Sequence, residues 1–122
     1  MPRSWQETIQ PWPELSSNQL YRCAVAEVSK QSEPHGIQVV LRHLDEPQPG
    51  RMHNVVLSLP IRPSGLTCEF FSACGLTTAT GEKLSPLKSI GSIIGVRFIP
   101  AENGEWSPIH FERANAKENH DA

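Results

Sequence analysis

Apolar and polar residues alternate along most of the middle of this chain, and a period of two is the signature of half-buried strands. In LYRCAVAEV (Leu20–Val28), Tyr21, Cys23 and Val25 fall on one face and Arg22, Ala24 and Ala26 on the other. The polar run SKQSEPHG supplies turn chemistry. IQVVLRHL (Ile37–Leu44) then sets Ile37, Val39 and Leu41 against Gln38, Val40 and Arg42. DEPQPGR turns the chain again, and NVVLSLPI (Asn54–Ile61) sets Val55, Leu57 and Leu59 against Val56 and Ser58. β-branched enrichment at this period predicts three consecutive strands.

The period changes after Pro63. Leu66, Phe70, Ala73 and Cys74 recur at the spacing of one helical face, with Ser64 as the expected N-cap and Gly75 as the expected stop. TTATGEKLSPLKS is a polar connection to which the pattern assigns no element. Two further strands follow. SIIGVRFIP (Ser92–Pro100) has Ile94, Val96 and Phe98 inward, and WSPIHFE has Ile109 and Phe111 inward. Between them, AENGE carries Asn103-Gly104, a strong hairpin signal. Pro108 has no N–H for a ladder, which points to an edge strand or a bulge. This order predicts a mainly β, OB-fold-like, five-stranded Greek-key barrel with one short helix between its third and fourth strands. A two-layer α+β arrangement is the alternative.

A chain of 122 residues suits one domain, and its 38% apolar content allows an adequate but modest core. Residues 1–19 carry Pro2, Pro11 and Pro13 among polar residues and form an expected irregular arm. Trp5 and Trp12 in it serve either to pin the arm to the domain or as a stacking or partner-binding element. Residues 20–111 form the expected domain and 112–122 a flexible tail. Three cysteines are few for a disulfide scaffold. The start has no signal-peptide pattern, and no apolar run approaches the roughly 20 residues that span a bilayer. The expectation is a soluble, cytoplasmic protein without membrane contact.

The pattern resembles the small OB-fold proteins of phages and bacterial replicons that are similar to single-stranded-DNA-binding proteins. The residues carrying the resemblance run from about Leu20 to Phe111. They are a Tyr-led first strand (Tyr21–Val28), a turn ending at Gly36, an alternating second strand (Ile37–Leu44), and an acidic Pro/Gly-rich turn ending in Gly50-Arg51. Then come a third strand ending LSLP, a helix closing in FFSACGL, IGVRF, and a Gly-bearing hairpin into IHF. The resemblance implies single-stranded nucleic-acid binding in replication or recombination.

Such binding combines cations that track phosphates with aromatic rings on which bases stack. The alternation puts Arg22, Arg42 and Arg97 on outward faces of three strands, with Lys30, Arg51 and Arg62 near strand ends. Trp106 at the base of the last hairpin is the candidate stacking platform, and His110 lies on its face. Other features oppose this assignment. The outward positions Gln38, Val40, Val56 and Ser58 include no aromatic, the loops carry Glu33, Glu102 and Glu105, and the net charge is −2. Acids beside a groove weaken the counterion-release term, and outward arginines also serve to solvate a sheet. The competing reading is a protein-interaction or assembly module, with a protein partner or a second copy of the chain, and with Val40 and Val56 starting an apolar patch.

No phosphate-cradling glycine loop, nucleophile elbow or zinc-peptidase motif is present. His43 and Asp45 would share a strand face, but no nucleophile accompanies them. His35, His43, His53, His110 and His120 follow no metal-ligand spacing. A non-enzymatic protein without cofactor or metal is expected. On a helix, Cys68 and Cys74 lie about 120° apart around the axis and about 9 Å apart along it, so they neither pair nor share a metal. Cys74 is expected on the buried face as a small hydrophobe, with Cys68 pointing elsewhere.

Overall fold

The period-two segments form strands in the computed structural model, which describes residues 4–33 and 35–114. The strands are β1 (Leu20–Ser32), β2 (His35–His43), β3 (Met52–Ser58), β4 (Ile93–Pro100) and β5 (Trp106–Arg113). One helix, α1 (Leu66–Ala73), stands between β3 and β4, and short 3-10 turns occupy Pro86–Ser89 and Glu102–Gly104. All pairings are antiparallel, in one sheet of order β3-β2-β1-β4-β5.

β1 is the shared strand. Cys23 faces His43 of β2 on one side and Ile94 of β4 on the other. The register skips between Val25 and Glu27, a bulge that increases the local twist of a long strand. β2 and β3 run in uninterrupted register from Gly36–Ser58 to Arg42–Met52. Gly36 is required there, because a Cβ would meet the Leu57 carbonyl oxygen at 2.6 Å. β1 and β2 extend further than the polar run SKQSEPHG suggested, since Ser29–Ser32 pair with His35–Gln38.

The sheet is open. Its edges are β3 and β5, and the β3–β5 ladder that would close the expected barrel is not formed. α1 lies against β5 and touches β3. Glu69 on α1 accepts the Phe111 N–H of edge strand β5 at 2.8 Å, and Thr67 donates to the Ser58 carbonyl at the end of β3 at 2.9 Å. The helix thus satisfies an edge donor that a strand pairing would otherwise take. Tyr21, Val25, Leu41, Leu57, Phe70, Phe71, Phe98 and Phe111 belong to one buried cluster between sheet and helix.

Three local expectations need correction. Gly65, not Ser64, is the N-cap of α1, and Ser64 adopts φ of 65° with no side-chain cap bond. The buried helix face is Thr67, Cys68, Phe70, Phe71 and Ala73, so Cys68 is inside, while Leu66 is partly exposed. Ile109 is 46% exposed, because β5 bulges between the Arg97–His110 and Phe98–Pro108 pairs and loses its inward phase. The helix stop behaves as glycine allows: Gly75 has φ of 86°, and the Leu76 N–H reaches the Phe71 carbonyl at 3.1 Å. Asn103 (φ 61°) and Gly104 (φ 75°) make the left-handed hairpin turn.

Residues 4–19 contain neither helix nor strand, yet they are attached. Leu15 is buried in the core, the Ser16 N–H donates to the Tyr21 hydroxyl at 2.7 Å, and the buried Gln48 amide donates to the Pro13 carbonyl. Leu15 is therefore the pin, while Trp5 and Trp12 stay exposed. β5 continues to Arg113, into the span expected to be tail, and residues 115–122 lie outside the described residues. No helix among the described residues is long and apolar enough to cross a membrane.

Candidate nucleic-acid interface

The antiparallel register sorts the candidate residues by the end of the sheet they occupy. Leu20 pairs with Arg97, Arg42 with Met52, and Pro100 with Trp106. The start of β1, the β2–β3 turn and the β4–β5 hairpin therefore share one end, the end that carries Arg42, Arg51 and Trp106. Lys30 is exposed near the β1–β2 hairpin, at the opposite end.

The cations differ in how far they are engaged. The Arg22 guanidinium binds Asp45 Oδ1 through Nη2 at 2.9 Å and Nε at 3.1 Å, and its backbone N–H donates to Oδ2 at 2.7 Å. That clamp ties β1 to the turn after β2 and makes Arg22 a poor phosphate ligand. Arg42 is exposed on the outward face, between Ala24 of β1 and Met52 of β3. Arg51 has only 12% of its side chain exposed. It donates to Gln48 Oε1 at 3.2 Å, lies 3.7 Å from a Glu105 carboxylate oxygen, and sits 5.7 Å from the centre of the Trp12 ring. Arg97 is half-buried, and its Nε has no hydrogen-bond partner. Its neighbour His110 is held between Glu69 at 3.3 Å and Glu112 at 2.9 Å.

Trp106 packs its inner side on the core and is half-buried. It lines a cleft of about 490 Å3 with Pro11, Trp12, Glu14, Arg51 and Pro100. Trp12 is the functional candidate that periodicity does not single out, because it stands on an arm without a repeating pattern. Its only signal is a large ring in a proline-rich stretch. The outward face of β2 and β3 carries Gln38, Val40, Arg42, Met52, Asn54, Val56 and Ser58, with no aromatic ring, and Met52 and Val56 are each 50% exposed.

Beneath this end lies a buried histidine pair. His43 Nδ1 and His53 Nε2 share a hydrogen bond at 3.1 Å, and the Phe98 ring lies 4.6 Å from that of His53. His43 Nε2 is buried without a partner. Burial lowers the pKa of both imidazoles. The neighbouring His43 and Arg51 charges add to this at His53, which falls to about 4. Asp45 opposes the effect at His43. Burial likewise raises the Cys23 thiol to about 12 and Cys74 to about 11. All three cysteines are free, and a thiol so raised is a packing group rather than a nucleophile. Asp45 is spent on Arg22, so the His43/Asp45 spacing builds no acid–base pair. Among the described residues, no group of three or more His, Cys, Asp or Glu side chains is placed to hold a metal ion. No protein-family model matches the chain, and no curated protein or solved structure matches it significantly.

Proposed function

We propose that this chain is a non-catalytic OB-type module that binds single-stranded nucleic acid, in the setting of DNA replication or recombination. The observation that carries the reading is the strand order β3-β2-β1-β4-β5, with a bulged β1 shared between β2 and β4 and a helix after β3. This is the connectivity of an OB barrel opened between its third and fifth strands. The chemistry at one end of the sheet supports it, since Trp106 offers a ring and Arg42 an exposed cation. The exposed Met52 and Val56 favour a second reading, a protein-interaction module.

Fluorescence anisotropy of labelled single-stranded oligonucleotides, at low and moderate salt, separates the two. Binding that weakens steeply with salt is expected for the proposed function. No binding at low salt, across several base compositions, would leave the interaction module standing. Arg42→Ala is expected to weaken binding severalfold and to reduce the salt slope by about one unit. An unchanged slope would remove Arg42 from the phosphate path. Glu105→Gln is expected to do the reverse, tightening binding about threefold, because it releases Arg51 and removes a repelling carboxylate. Weaker binding in this variant would mean that Glu105 positions Arg51 for the ligand.

A further inference from the structure

We infer that the N-terminal arm completes the site, with Trp12 and Trp106 as stacking walls of a cleft that takes one unpaired nucleobase. The inference rests on the single-stranded nucleic-acid reading and adds a second stacking residue and an orientation to it. Trp12 is half-exposed, at 47%, although the arm that carries it is fixed to the domain by Leu15, Ser16 and Pro13. An indole held on an anchored segment loses little further entropy when a second ring stacks on it. The Arg51 guanidinium lies over this ring, 5.7 Å from its centre, so the indole is also oriented. The cleft volume, about 490 Å3, is in the size range of small-ligand sites, and Pro11 and Pro100 add apolar surface to the lining that the two indoles share.

Charge decides which part of a nucleotide enters. Glu14 and Glu105 line the cleft, and the guanidinium of Arg51 already has Glu105 beside it. A phosphate would meet two carboxylates and no free cation inside. A neutral base meets two indoles and no repulsion. The base therefore enters, and the backbone stays outside on the exposed face near Arg42.

The test titrates a Trp5→Phe protein, which lacks the solvent-exposed third indole, with a short oligothymidylate while following intrinsic fluorescence. Quenching is expected, and Trp12→Ala in that background should weaken binding about tenfold with the salt slope unchanged. Trp12→Phe, which keeps a stacking ring, should retain most of the affinity. Equal affinity in Trp12→Ala and its parent would overturn the assignment of Trp12 and leave the nucleic-acid reading intact. A salt slope flattened as much as by Arg42→Ala would overturn stacking too, because Trp12 would then act by holding Arg51. If the parent binds no oligonucleotide at low salt, the nucleic-acid reading fails and takes the base cleft with it.

Discussion

Phe98→Ala is expected to lower the unfolding free energy by about 3–5 kcal/mol, the range for deleting a buried phenyl group. Phe98 is fully buried on the inward face of β4, with ring contacts to Tyr21 at 6.4 Å, His43 at 6.1 Å and His53 at 4.6 Å. Those partners come from β1, β2 and β3, so the cavity would open where four strands meet and could not collapse by moving one side chain. Domains of this size have about 5–15 kcal/mol in total, so a sizeable unfolded fraction is expected at moderate temperature. Urea unfolding followed by circular dichroism measures the loss, and Phe98→Leu should recover much of it. Ile99→Ala, one residue along on the exposed face, is the control, with an expected change within about 0.5 kcal/mol. A loss below about 1 kcal/mol in Phe98→Ala would mean that this part of the core is not packed as described.

The strands are legible in the sequence because each buries one face, so that Val39, Leu41, Val55, Leu57, Val96 and Phe98 announce their side by alternation. The hairpin at Asn103-Gly104 is legible because its backbone needs two left-handed residues. What alternation cannot report is a change of phase. The β5 bulge comes from pairing with β4, and it turns Ile109 outward although the local pattern sets it inward. The helix cap fails in a similar way. Ser64 has the right chemistry, but its φ of 65° removes it from the extended geometry of an N-cap. Barrel closure is a further step away, because it depends on whether β3 or the carboxylate of Glu69 meets the edge of β5.

The candidate site is legible only in part, for a reason of electrostatics. Strand phase sets Arg22, Arg42 and Arg97 outward, yet Arg97 is half-buried with its Nε out of solvent, and charge neutralisation depends on partners far away in sequence. Asp45 reaches Arg22 and Glu105 reaches Arg51 only in the folded sheet. The cation most available at this end is therefore Arg42, a distinction that no spacing rule contains. His43 and His53 illustrate the complementary gap. Each is in phase with the inward positions of its strand, Leu41 and Val55, so their burial follows from period two. Their pairing follows only from the β2–β3 register, which sets His53 opposite Leu41 and one step from His43.

That pair makes stability depend on pH in a defined direction. An imidazole in the unfolded chain titrates near 6.5, whereas His53 in the fold titrates near 4. Between those values the unfolded chain binds more protons, so unfolding is favoured as pH falls. The stability present above pH 6.5 is lost as pH drops towards 4 and changes little from this source below that. For His53 alone the loss amounts to about 3 kcal/mol across the interval, and His43, lowered in the same direction, adds to it. The groups around the pair do not cancel this: Arg51 opposes protonation of both rings, and Asp45 favours it only at His43, where burial outweighs it. Surface carboxylates also titrate in this range, so the informative quantity is the difference from a variant. His53→Gln retains a side-chain donor and acceptor near His43 but cannot titrate. Urea unfolding of both proteins from pH 7 to pH 4 should give a clearly shallower acid loss in the variant, whatever its stability at pH 7. Parallel curves would show that the histidines are not buried as a neutral pair.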